Sequence, residues 1–108
     1  MRTVMFPRAI WSVPVGLMPR ILNARKTGTS VAGAVYVGRP SRWGNPFPVG
    51  PDRTRAEAIQ QFERWLMGQP ELLAAVRAEL RGKDLICWCA PKRCHAEVLM
   101  REANSLFD

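Results

Sequence analysis

Acidic residues are missing from the first half of this chain: residues 1–51 contain no aspartate or glutamate. Seven basic residues stand there unopposed, namely Arg2, Arg8, Arg20, Arg25, Lys26, Arg39 and Arg42. Beyond residue 51 the two signs are equal in number, so the formal net charge of +7 arises entirely in the first half. That asymmetry has two readings, a solubilising charge or a surface that meets phosphate on a nucleotide or a nucleic acid. Six of the seven are arginine, whose planar fork matches phosphate oxygens where lysine offers a point charge.

Also absent is any apolar run approaching the roughly 20 residues that cross a bilayer, so no membrane partner is expected. Ala9–Met18 is apolar behind Arg2 and Arg8. Pro7, Pro14 and Pro19 break that stretch, and no small-x-small cleavage pattern closes it, which argues against a signal peptide. Three cysteines, two of them one residue apart, cannot form an ordinary disulfide framework. A reducing cytoplasm fits them best. The chain has no internal repeat, no low-complexity linker, no pair of catalytic carboxylates, no phosphate-binding glycine fingerprint and no Ser-His-Asp set. No named enzyme class and no cofactor is indicated.

What is present suffices for one domain. With 108 residues, 47% hydrophobic and 23% charged, the chain can bury one core and is not a disordered polymer. Residues 1–21 lack periodicity and read as an irregular N-terminal arm, ahead of an α/β domain over residues 22–108. Arg20–Arg25, with apolar Ile21 and Leu22, is the candidate first strand. A loop over Lys26–Gly33 leads to a short strand at Ala34–Val37. Gly38–Pro51 holds four prolines and three glycines, so it must be irregular but semi-rigid backbone.

The helices are easier to read. Thr54-Arg55-Ala56-Glu57 is a capping box, followed at helical spacing by Ile59, Phe62 and Leu66, with Gly68 as the stop. Pro70 suits the first position of a second helix, with Glu71 complementing its dipole and Gly82 as its stop. Lys83–Cys89 reads as a strand and Arg93–Leu106 as a third helix. The order predicts a small single α/β domain with a short, mostly parallel sheet and three helices.

All three cysteines and the only histidine fall within Cys87-Trp88-Cys89-Ala90-Pro91-Lys92-Arg93-Cys94-His95. The set contains Cys3His, but C-x-C beside a contiguous Cys-His pair is awkward for one tetrahedral ion, and no metal is assigned. Cys87, mid-strand, is expected in the core; Cys89 stays undecided. Cys94 and His95 fall where a strand end meets a helix start, the usual ligand position in open α/β sheets and a natural anion site. The dipole, Lys92 and Arg93 should lower the Cys94 thiol pKa. Cys94 and His95 are therefore the candidate catalytic residues. Adjacent helical side chains diverge by about 100°, so the partner of Cys94 could instead be Cys89 or a group from the 38–51 loop. In that loop Trp43 offers a stacking face, Asn45 an amide, Ser41 a hydroxyl, and Arg39 and Arg42 phosphate forks. The alternative is that Trp43 and Phe47 are core anchors and Asn45 caps a turn. The candidate ligand-binding set is Arg39, Ser41, Arg42, Trp43, Asn45, Cys89, Lys92 and Arg93.

Two segments, Val37-Gly38-Arg39-Pro40-Ser41-Arg42-Trp43-Gly44-Asn45-Pro46-Phe47 and Leu80-Arg81-Gly82-Lys83-Asp84-Leu85-Ile86-Cys87-Trp88-Cys89-Ala90-Pro91 closed by Cys94-His95, resemble the small bacterial and bacteriophage proteins known as domain of unknown function 4326. The resemblance covers about Leu22 to Asn104. It implies that both motifs belong to one functional unit and that the protein works in a bacterial or phage-infected cytoplasm. It supplies no reaction. The expected function is binding of a phosphate-bearing ligand (nucleotide, nucleoside derivative or nucleic acid) between the two motifs, with Cys/His chemistry as an option. The competing expectations are a non-catalytic nucleic-acid-binding module and a phage protein that binds a host protein, with the cysteine segment only structural.

Overall fold

The local signals that start and stop helices are honoured. In the computed structural model, which describes residues 19–105, the Thr54 hydroxyl accepts from the Glu57 amide at 3.1 Å and the Glu57 carboxylate accepts from the Thr54 amide at 2.8 Å. Both orphan donors of the first turn are thus satisfied. That turn opens a helix over Arg55–Met67, α2 in chain order, which Gly68 ends. Pro70, whose missing N–H costs nothing at a first helical position, opens α3 over Pro70–Glu79. The last helix, α4, spans His95–Ala103 with Cys94 as its N-cap. One further helical turn, α1, spans Ala24–Thr27.

Three strands, β1 (Ile21–Asn23), β2 (Ala34–Tyr36) and β3 (Asp84–Cys87), form one parallel sheet in the order β1-β3-β2. The last strand in sequence is central, paired through Leu85 to both Ile21 and Val35. A central parallel strand is covered on both faces, which accounts for the complete burial of Leu85, Ile86 and Cys87. Helices α2, α3 and α4 pack on one another, and α4 lies against β3. Phe62, Leu66, Val76, Leu80, Leu85 and Leu99, each at most 1% exposed, form the centre of the core. Burying side chains of this size stabilises by roughly 1.5–3 kcal/mol each before chain entropy is counted.

The fold is therefore the expected small α/β domain, with a sheet that is wholly parallel and a fourth, single-turn helix. Boundaries differ for local reasons. Asn23 caps α1 by accepting from the Arg25 amide at 2.8 Å, so the first strand ends there and does not run to Arg25. The third strand stops at Cys87 and not at Cys89, because the chain turns there, with the Lys92 amide donating to the Cys89 carbonyl and the Asn23 side-chain amide to the Ala90 carbonyl. Helix α3 ends at Glu79, ahead of the expected stop at Gly82, which instead takes φ +77° in the turn that follows. The last helix begins at His95, two residues later than Arg93. Residues 1–18 of the expected arm over residues 1–21, and the expected helix end at Leu106, lie outside the described residues.

Candidate functional site

All three strands run the same way, so the segments after Asn23, Tyr36 and Cys87 emerge at one end of the sheet. Here the two sequence motifs meet. The link is a relay: the Trp88 indole N–H donates to the Tyr36 hydroxyl, which donates to the Arg39 carbonyl, each at 2.8 Å. A second tie comes from the Asn23 amide, which donates to the Ala90 carbonyl and holds the cis turn against the end of β1.

The 38–51 loop is built on close approaches. A Cβ at Gly44 would stand 2.8 Å from Arg39 Cγ and 3.2 Å from Arg39 Cα, and one at Gly38 would overlap the Tyr36 ring. Within it the Ser41 amide donates to the Gly38 carbonyl and the Gly44 amide to the Ser41 carbonyl, making successive turns after the cis Arg39–Pro40 bond. Trp43 is buried in the core, and the Arg42 guanidinium covers its ring at 4.7 Å while pairing with Glu79 at 3.2 Å. Ser41 Oγ accepts from the Trp43 amide. Asn45 donates to the Ala58 carbonyl at 3.1 Å and accepts from the Phe47 amide at 2.8 Å.

The cysteines take a different arrangement from the expected one. Cys94 Sγ lies 3.3 Å from Cys87 Sγ, and both sulfurs are buried and free. The Cys94 thiol donates to Cys87, whose pKa is lowered to about 6 by that hydrogen bond first; burial opposes this, and the amides of Cys89 and Ala90 lower it further. The Cys94 thiol moves the other way: the hydrogen bond it donates to Cys87 and its own burial push its pKa up, and the Ala96 amide only partly offsets this. The contact thus favours the charged form at Cys87 and the protonated form at Cys94. This corrects the expectation of an acidified Cys94: the helix terminus and basic neighbours lose to a sulfur in contact. Cys87 is a core residue by burial, as expected, yet its sulfur is also the one at which the charged form is favoured.

His95 does not face Cys94. Its Nε2–H donates to the Val37 carbonyl at 2.8 Å, and its ring meets Phe62 edge-on at 5.1 Å. Burial lowers its pKa, with Arg39 adding to the effect and the Val37 and Trp43 carbonyls opposing it. It stands as a neutral latch between α4 and the end of β2.

An open cavity of about 260 Å³ lies between the motifs. Of the expected site residues it takes in Arg39, Asn45, Cys89, Cys94 and His95, joined by Arg55, Phe47, Trp88 and Cys87. Ser41, Arg42, Trp43, Lys92 and Arg93 are not in its wall. Arg93 pairs with Glu97 at 3.3 Å, and its carbonyl accepts from the Arg55 guanidinium at 3.2 Å. Among the described residues the wall contains no acidic one, and neither Arg39 nor Arg55 forms an ion pair. Arg55 escaped the sequence reading because it sits inside a capping box. Its sign was the available clue, since the N-terminal turn of a helix disfavours a cation. Among the described residues no three His, Cys, Asp or Glu side chains are grouped to hold a metal ion.

The molecule is thus a small parallel α/β domain with two cysteine sulfurs in contact and, among the described residues, two guanidinium groups without carboxylate partners at the carboxyl end of its sheet. The chain belongs to the family described as domain of unknown function (DUF4326), whose model matches residues 22–105. It is also similar to the uncharacterized 12.4 kDa protein in the nrdA-td intergenic region of Enterobacteria phage T4, at 33% identity over 97 residues, covering 86% of this chain and 84% of that protein. No solved structure matches the chain significantly. No helix among the described residues is long and apolar enough to cross a membrane.

Proposed function

We infer that the protein binds a small phosphate-bearing ligand of mononucleotide size in the cavity between the two motifs. One observation carries this reading: an open cavity holding two guanidinium groups that have no carboxylate partner among the described residues, with no acidic residue among the described residues of its wall. Even against a thiolate at Cys87, two arginines leave a positive balance, and bidentate forks suit phosphate oxygens. Half-exposed Trp88, with Phe47 and Val49, supplies apolar surface beside the cations, as a ligand with a flat ring and an anionic tail requires. A volume of about 260 Å³ falls just below the range of about 300–1,000 Å³ for small-molecule sites, which favours one nucleotide over a polymer. The working location is a reducing cytoplasm, where three free thiols persist.

Calorimetric titration of the reduced protein with a nucleoside monophosphate, inorganic phosphate and a single-stranded oligonucleotide tests this. The monophosphate should bind more tightly than phosphate alone, and Arg39→Ala and Arg55→Ala should each weaken it roughly tenfold or more. Absence of monophosphate binding at low salt overturns the reading. Oligonucleotide binding with a steep salt slope, in place of monophosphate binding, would make the protein a nucleic-acid-binding module instead.

A further inference from the structure

The thiol pair has a geometry that ligand binding does not use. We propose that Cys87 and Cys94 form a redox-active dithiol that reduces a small hydroperoxide entering through the cavity. The two sulfurs lie 3.3 Å apart on separate elements, one ending β3 and one capping α4. Closing a disulfide needs an approach of roughly 1.2 Å, to about 2.05 Å. Cys94 is free to make it, since its side chain forms no capping hydrogen bond that would be lost. Cys87 already has the surroundings that favour an attacking thiolate: a hydrogen bond donated by the Cys94 thiol at 3.3 Å and the amides of Cys89 and Ala90.

Burial selects the oxidant. Cys87 is 1% exposed and lies in the cavity wall, so a protein disulfide cannot touch it, whereas a peroxide of a few atoms fits. In the first step the Cys87 sulfur attacks the terminal oxygen of ROOH. An S–O bond forms, the O–O bond breaks, and RO⁻ leaves as ROH with the proton given up by Cys94, so Cys87 becomes a sulfenic acid. In the second step the Cys94 thiolate attacks the Cys87 sulfur, the S–S bond forms, and hydroxide leaves to become water with a solvent proton. The dithiol loses two electrons and the peroxide gains them. A second thiol compound, such as a small-molecule dithiol, restores the reduced pair by exchange.

The reaction shares the proposed ligand cavity but needs neither arginine, so the two readings fail separately. Treatment of the reduced full-length chain with one equivalent of hydrogen peroxide, followed by iodoacetamide and trypsin, tests it. Cleavage after Lys92 and Arg93 separates Cys87 from Cys94. The expected product is a peptide of residues 84–92 joined to one of residues 94–101, with the bridge at Cys87, an alkyl group on Cys89, and full reversal by dithiothreitol. Peroxide should be consumed roughly tenfold faster at neutral pH than by free cysteine. In Cys94→Ser the reaction should stop at a Cys87 sulfenic acid trapped by dimedone. Alkylation of all three sulfurs after peroxide, a bridge at Cys89, or a Cys87 sulfinic acid beside an alkylated Cys94 would each overturn the proposal. Should Cys94→Ser fail to fold, the peptide map of the unmodified chain decides alone.

Discussion

The two motifs that line the cavity use their residues in different ways. In the 38–51 loop the side chains suited to a ligand are occupied in holding the loop itself. Trp43 is in the core under Arg42, Arg42 is paired with Glu79, and both ends of the Asn45 amide are bonded to backbone. Of the loop's polar side chains in the cavity wall, Asn45 is thus spent on the backbone and Arg39 has no ion-pair partner among the described residues. The 87–95 turn divides the work differently: Trp88 and His95 tie it to Tyr36 and Val37, while the buried Cys87 and Cys94 sulfurs bond each other in the cavity wall. Residue type nominates a site residue, but the bonding capacity left over after folding decides whether it can act.

That contrast can be tested from either side. Trp43→Ala should have the largest effect, about 3–5 kcal/mol of lost stability for a buried aromatic, read as a lower denaturant midpoint. At pH values where the variant stays folded, its Cys87 titration should still centre near 6. A shifted midpoint would mean that the loop governs the thiols after all. Cys94→Ala acts on the other motif. Without its proton donor the Cys87 midpoint should rise from about 6 by at least roughly one unit, the equivalent of about 1.4 kcal/mol, followed by thiolate absorbance near 240 nm. An unchanged midpoint would leave the Cys89 and Ala90 amides as the whole cause.

The pH dependence of stability separates the buried groups. Below pH 6.5 the unfolded His95 binds a proton that the folded ring resists, so stability should fall as pH drops through that range. Between about 6 and 9 the unfolded Cys87 holds a proton that the folded thiolate has lost, so stability should rise with pH across that window. Above 9 the raised Cys94 reverses the sign, because only the unfolded thiol ionises. Urea unfolding across pH 5–10 should therefore show a maximum near 9, and Cys87→Ala should flatten the rise below it. The smallest change is expected from Arg42→Ala. Its pair with Glu79 is more than half exposed on both sides, so the loss should stay under about 1 kcal/mol, with monophosphate affinity unaltered. A tenfold loss of affinity in that variant would return Arg42 to the site.

Much of the frame was legible without coordinates. Thr54, Glu57, Gly68 and Pro70 set the limits of two helices because caps act over three or four residues and carry their own hydrogen bonds. Parallel pairing followed from helices lying between strands. The extent of the strand at Lys83–Cys89 was harder, since its end depends on a turn tied back to Asn23, 67 residues away from Ala90. Arg55 belongs to a capping box in the sequence, and its place with Arg39 in one cavity wall arises only when the loop packs against α2.

The chain alone was enough to gather the cysteines, the histidine and an acid-free basic half, and to place them near a strand end and a helix start, since those are matters of composition and short-range spacing. Which sulfur favours the charge was a tertiary outcome. It depended on Cys94 lying within 3.3 Å of Cys87 and on His95 turning to Val37, 58 residues earlier. Proton affinity in a buried cluster is set by contacts over a few ångströms, and spacing along the chain does not encode those distances.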